Sequence, residues 1–266
     1  MTASVIGVES DIGWVGLATS FVFVAVAVGL SWAKGLGLER SLLWASARAL
    51  VQLLAVGAAL GFVIGHDRPV ALALAWVVVM VVVAAITVGR RVPEAPGVAL
   101  VAFCSIGAAA AVGLGVMVGL RVFPFEGRTI VPLAGMIVGN ALASTVVVCR
   151  RLVAEVADKR LEIEARLALG QPGGEALISY VRSALRTALL PAIERTKVVG
   201  LVALPGAMTG LILAGVSPSA AVKVQAAVMF ELLGAEAAAV TVVSLAMTKR
   251  LVTPDHRLVR LARVET

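Results

Sequence analysis

Charged side chains are scarce: Asp, Glu, Lys and Arg make up 15% of the 266 residues, beside only two cysteines and two histidines. Each shortage excludes a class of protein. Cys104 lies within an apolar run and Cys149 at the end of another, which supports neither a disulfide framework nor a metal-ligand spacing. There is no zinc-type His/Cys constellation, His66 stands alone in a loop, and no Ser/His/Asp arrangement suggests a protease. No G-x-x-x-x-G-K-[ST] run occurs, so the chain has no phosphate loop with which to cradle ATP. The basic residues give a net charge of +7 and a pI near 10.2, but they lie in connections between apolar runs. Without a single stripe and interleaved aromatics they argue against nucleic acid. Ahead of the first apolar run stand Glu9 and Asp11 with no Lys or Arg. That segment lacks the basic region of a cleaved signal peptide, so the first run is read as a true span.

What the chain has in abundance is apolar side chain: 60% of residues, with a mean hydropathy of +1.02. That is more than a soluble core of this size can hide. The apolar residues cluster in runs at 13–33, 41–64, 70–89, 98–120, 129–149, 198–216 and 221–247. Each is long enough, at about 20 residues, to cross hydrocarbon as a helix, the spanning element that satisfies its own backbone. The expected fold is therefore an all-α bundle of seven transmembrane helices, a single transmembrane domain over 1–266. Lys and Arg are divided unevenly between alternate connections. One set holds Lys34, Arg40, Arg90, Arg91, the basic residues of 150–197 and those of the tail; the other holds only Arg68, Arg121 and Arg128. The positive-inside rule then places the N-terminus outside and the C-terminus in the cytoplasm of a multi-pass cell-membrane protein.

The connection 150–197 is too long to be a simple loop. Its first half continues the fifth run as a helix, with Glu155–Lys159 and Glu162–Arg166 at i,i+4 spacing. Gln171-Pro172-Gly173-Gly174 breaks it, and a second helix over 175–190 carries Leu177, Val181, Leu185 and Leu189 on one side. The amphipathic pair either lies on anionic lipid or docks a cytoplasmic partner.

Ionisable residues at membrane depth are costly and face a partner or a wet cavity. The runs contain Arg48, Lys223, Glu231 and Glu236. Arg48, with Gln52 a turn deeper on the same face, either snorkels to the interface or meets cargo; Lys223 snorkels. Glu231 and Glu236 sit in the middle of the last run, about 140° apart around a helix, so they cannot share one narrow site. One is expected to face a cavity and the other a neighbouring helix, where an ion pair with Arg48 is the structural alternative. Met136, Asn140, Met208, Thr209, Met229 and Glu231 offer thioether, amide, hydroxyl and carboxylate donors to a metal ion, with Asn140, Met229 and Glu231 as the candidate ligands. Ordinary packing is the alternative for the methionines. Pro205, within the 198–216 run, is expected to kink a helix by removing the bond to the Leu201 carbonyl. Gly135-x-x-x-Gly139 and Gly206-x-x-x-Gly210 allow close helix approach.

Several stretches are more particular than hydropathy requires: Ala168-Leu169-Gly170, ALLP at 188–191, KVVGLVALPGAMTGLILAGVSP at 197–218, and Gln225 with Val228-Met229. With RALVQLLAVG at 48–57 and PLAGMIVGNAL at 132–142, they resemble the permease family of FetB-type iron-export ABC transporters and plant aluminium-sensitivity permeases. The resemblance implies a homodimeric permease coupled to a separate cytoplasmic ATPase. ATP and Mg would then be bound by the partner, and this chain would bind no cofactor and be no enzyme itself. It also implies that Glu164, Ala165, Ala168, Leu169 and Gly170 lie at the turn that enters the ATPase. The expected substrate pathway comprises Arg48, Gln52, Met136, Asn140, Pro205, Met208, Thr209, Gln225, Met229, Glu231 and Glu236. The expectation is export of iron or another metal ion. The alternatives are a self-sufficient secondary transporter with an intramembrane Glu as proton relay, and a membrane scaffold that transports nothing.

Overall fold

The computed structural model describes residues 14–64, 69–253 and 255–259, and the described residues are helical with no strands. Glu9, Asp11, His66, Arg68, Arg260 and Arg263 lie outside them. The chain forms two compact units, 1–67 and 68–266.

The first unit is a helical hairpin of α1 (Trp14–Ala33) and α2 (Glu39–Ile64). Its turn is tied by Ser31, buried, whose hydroxyl donates to Glu39 Oε1 at 2.7 Å and accepts the Leu38 N–H at 3.1 Å. Large apolar side chains such as Phe23 and Trp32 point outward, as suits a helix solvated by lipid rather than water.

The second unit contains α3 (Pro69–Arg91), α4 (Val98–Gly119), α5 (Gly127–Asp158), α6 (Arg160–Ala168), α7 (Gly173–Val198), α8 (Gly206–Leu213) and α9 (Pro218–Leu251). α5 is its centre, touching α3, α4, α6, α7 and α9. The α4 face that packs against α9 and its neighbours is built from Ala102, Ser105, Ala109, Ala110 and Gly113, answered on α9 by Ala235 and Ala239. Small side chains substitute for the hydrophobic drive that lipid cannot supply between helices, because they let backbones approach closely. Five helices are long and apolar enough to cross a membrane: α2, α3, α4, α5 and α9; α1 contributes a shorter apolar stretch, Ala18–Ala33. α5, at 32 residues, is about 48 Å long against a hydrocarbon core of about 30 Å, so it projects past the fifth apolar run.

The run 198–216 departs from expectation. It is not one helix: residues 199–205 form a turn with a Val199–Ala203 bridge, and only Gly206–Leu213 is helical. At eight residues, α8 is about 12 Å long and cannot cross hydrocarbon alone. Both ends are set by backbone chemistry that hydropathy does not register. Pro205 caps α8 from outside at φ −63°, ψ 140°, so it starts a helix and kinks none. At the other end, Gly215 takes φ +87° and the Gly215 and Val216 N–H groups bond Ile212 O and Leu211 O, a Schellman stop.

The α6–α7 pair is the helix–turn–helix that the sequence suggested, with differences. A break at Lys159 separates α6 from α5, and Glu155 bonds Arg151 (2.8 Å) and Ser183 (2.6 Å) rather than Lys159. Glu162–Arg166 does form, at 2.7 Å, and Arg160–Glu164 joins it at 2.8 Å. α6 ends in a second Schellman stop: Gln171 N–H bonds Arg166 O, Gly170 N–H bonds Leu167 O, and Gly170 stands at φ +87°. α7 then runs on through Pro191, eight residues past its expected end. Its apolar side, with Leu177, Val181 and Ala184 buried, packs on α5 and α9.

Candidate functional site

Three helices of the second unit bring polar side chains to one place. Pro191 lacks the N–H that would bond the Thr187 carbonyl, yet the buried stripe Ala184, Ala188, Ala192 holds α7 on its course. The last turn therefore delivers Arg195 to α5 and α9. Arg195 Nη2 bonds Glu236 Oε1 at 2.8 Å, and Nη1 bonds Asn140 Oδ1 at 2.6 Å. Ser144 donates to the other Glu236 oxygen at 2.7 Å, and Asn140 Nδ2 donates to Met136 O at 2.8 Å. Glu236 is 2% exposed, so every lone carboxylate charge here must be met by donors, and each of its oxygens is. Its partner is Arg195, not the Arg48 suggested by sequence.

Beside the pair lies a cavity of about 190 Å³, lined by Asn140, Arg195, Pro205, Gln225, Met229 and Glu236 together with apolar side chains. Five of the sequence candidates thus meet. Gln225 is nearly buried and its Oε1 has no donor among the described residues. An acceptor in that condition costs free energy unless something supplies a positive charge or a hydrogen.

The remaining candidates lie elsewhere. Glu231 turns to the opposite side of α9, beside Gly113 of α4, as the 140° offset requires. The metal trio Asn140, Met229 and Glu231 is therefore not assembled: the first two line one cavity and the third lines another. No cluster of three His, Cys, Asp or Glu exists among the described residues. Met136 contributes its carbonyl, whereas Met208 and Thr209 ride on α8 outside the cavity lining, Thr209 Oγ1 bonding Pro205 O at 3.3 Å. Arg48 and Gln52 are exposed on α2 in the first unit, and Lys223 is exposed near the start of α9. Gly206 and Gly210 have no neighbour at the Cβ position, so that small-residue motif closes no interface here.

Sequence reasoning missed Arg195 and Ser144. In the sequence Arg195 reads only as a topological charge, because the second helix is expected to end at 190, five residues before it. The i,i+4 continuation of small residues, Ala184 to Ala188 to Ala192, is the signal that would have carried the helix through.

A second polar feature is the elbow between α6 and α7. Glu164 is tied to Arg160, Leu169 is 86% exposed, and Gly170 has open space around it. The Tyr180 hydroxyl beside Glu162, and then Arg166, hold the Glu162 carboxyl below the usual carboxylate range. Burial, then the neighbouring Glu162 carboxylate, pushes the Tyr180 phenol up. Arg166 also stacks 5.9 Å above the Tyr180 ring, so α6 is braced on α7 by three side chains. Past α9 the chain returns to this elbow, where Arg160 donates to Leu258 O and Val259 O at 3.3 and 3.4 Å.

The family model described as an uncharacterised protein family, UPF0014, matches residues 14–252. The chain belongs to the UPF0014 family. It is 42% identical over 227 residues to the rice UPF0014 membrane protein STAR2, covering 85% of this chain and 79% of that protein. It is 37% identical to Protein ALUMINUM SENSITIVE 3 of Arabidopsis thaliana, covering 84% and 81%. It is 31% identical over 243 residues to the Escherichia coli protein named "Probable iron export permease protein FetB", covering 91% and 93%. No solved structure matches the chain. As a UPF0014 member it is a membrane protein.

Proposed function

We propose that this UPF0014 chain is the membrane-spanning permease subunit of an ABC transporter that exports iron or another metal cation, energised by a separate cytoplasmic ATPase. The observation that carries the cargo assignment is the unsatisfied Gln225 carbonyl oxygen, beside a cavity that also presents Asn140, Met229 and Glu236. Amide oxygen, thioether and one carboxylate form a weak, mixed donor set, suited to an ion that must leave as readily as it arrives. In the resting state Arg195 occupies Glu236. An arriving cation competes for that carboxylate, so the guanidinium is an internal placeholder that swings away when cargo binds.

Coupling follows from one element. α7 begins at the elbow, at Gly173, and ends beside the cavity, with Arg195 in its last turn. In this reading the elbow faces the cytoplasm, the N-terminus lies outside, and Glu164, Ala165, Ala168, Leu169 and Gly170 insert into the ATPase. Two copies of the chain enclose the pathway, and ATP and Mg reside on the partner. A tilt imposed at the elbow then moves Arg195 relative to Glu236.

The test is ATP hydrolysis by the reconstituted permease–ATPase complex across a panel of metal ions and small metabolites. Stimulation by iron or another metal that is lost in Gln225→Leu and Glu236→Gln supports the assignment; stimulation by a metabolite instead overturns the cargo class. Glu231, a carboxyl without a partner among the described residues, favours the secondary-transporter reading. Uptake into liposomes driven by a proton gradient, with no ATPase present, would establish that reading in place of the first.

A further inference from the structure

The pathway cavity does not account for Glu231. Both of its carboxylate oxygens are buried and neither has a hydrogen-bond partner among the described residues. They lie against Gly113 of α4, where a methyl group would collide with Oε1, so the absence of a side chain at 113 is what leaves room for the carboxylate. The groove between α4 and α9 that Glu231 lines has a volume of about 610 Å³, within the range of sites for drug-sized molecules. Its walls are otherwise apolar, with Val112, Met117, Phe230 and Val242 prominent. The one other polar side chain there, Ser105, gives its hydroxyl hydrogen to the Ala102 carbonyl at 3.3 Å and has none to offer Glu231. Among the described residues no Lys or Arg lines this groove, and the Arg195 guanidinium is committed to Glu236 on the other side of α9.

An acid with no donor, set in an apolar wall, defines the chemistry of what would complete it. A monocation with an apolar body fits that wall: its charge offsets the cost of ionising a lone carboxyl at this depth, and nothing else in the groove bonds a polar body. Phe230 adds an aromatic face, which favours a cation further. We propose that the α4–α9 groove is a binding site for lipophilic organic monocations, with Glu231 as their counter-ion. This site is separate from the metal pathway proposed above and does not depend on it.

Equilibrium binding of tritiated tetraphenylphosphonium to the purified full-length chain in detergent tests this. The wild type is expected to bind saturably at one site per chain. Glu231→Gln, which removes the charge, and Gly234→Leu, which projects into open groove from α9, are each expected to weaken binding at least tenfold. Asn140→Ala, in the other cavity, leaves it unchanged, and uncharged triphenylphosphine oxide fails to compete. Absence of saturable binding to the wild type overturns the proposal. Equal binding by Glu231→Gln, or equal competition by the uncharged compound, overturns it too and assigns the groove to lipid chains. Should Glu231→Gln lose its monodisperse elution, Gly234→Leu and the uncharged competitor decide between these outcomes.

Discussion

Within the Arg195–Glu236 pair the two partners are not equivalent. Glu236 is 2% exposed while the Arg195 side chain is 59% exposed, so removing the arginine strands a buried charge and removing the glutamate frees a solvated one. Loss of one partner of a buried pair costs about 3–5 kcal/mol; with one end solvated, Arg195→Ala should cost about 3 kcal/mol of stability, and Glu236→Gln clearly less. Because Ser144 still donates to a glutamine oxygen at 236, the double variant Arg195→Ala/Glu236→Gln should recover part of the loss. Thermal unfolding in detergent measures all three, and strict additivity would show that the pair is uncoupled. Legibility in sequence differed just as sharply between the two residues. Glu236 announced itself because a charge in an apolar run needs an explanation. Arg195 did not, because a basic residue in a basic segment explains itself, and its partner lies 41 positions away.

For the elements, the long apolar runs 41–64, 70–89, 98–120, 129–149 and 221–247 became helices because hydrocarbon leaves the backbone no other partner. The run 198–216 failed because hydropathy sums side chains and is blind to backbone: the chain leaves helical geometry at Gly200, φ +89°, and at Pro205, ψ 140°, two residue types that weaken a helix whatever their neighbours' transfer energies. The elbow was legible in outline, since Pro172 and two glycines stop any helix, but its bracing by Tyr180 was not. Gly170 is where that outline can be tested. Its φ of +87° costs any L-residue about 1–2 kcal/mol, and a side chain there would stand in the open space that the proposed ATPase would enter. Gly170→Leu should therefore reduce co-purification with the ATPase at least tenfold while the permease remains monodisperse; undiminished capture would move the docking surface elsewhere. The Tyr180–Glu162 brace makes a separate prediction. Glu162 is held below its ordinary value, so its contribution is complete above about pH 4.5 and fades as pH falls through the lower folded-state value. The amide protection factors of Ile163 and Leu167, exchange rates taken relative to the unstructured chain at the same pH, should fall in acid for the wild type, and Glu162→Gln should show that lower protection already at neutral pH.

At the scale of the whole molecule, the asymmetry of Lys and Arg argues for the proposed orientation, on which packing alone is silent. Reversing the bundle would leave its helix contacts intact but would require the basic elbow, with Arg150, Arg151, Lys159, Arg160 and Arg166, to be translocated. The orientation then determines from which side energy can arrive. If the elbow is cytoplasmic, a cysteine at exposed Leu161 or Leu169, in a background where Cys104 and Cys149 are serine, should react with a membrane-impermeant maleimide only in inverted vesicles. Labelling in intact cells would put the elbow outside, beyond reach of any cytoplasmic ATPase. Protection of Leu169→Cys by added ATPase, with Leu36→Cys in the α1–α2 turn, on the same side by the Lys and Arg asymmetry, as an unprotected control, would join the orientation to the coupling scheme. Leu36 and Leu169 are both exposed in the isolated chain, at 59% and 86%, so loss of labelling at Leu169 alone would report contact with a partner rather than burial within the fold.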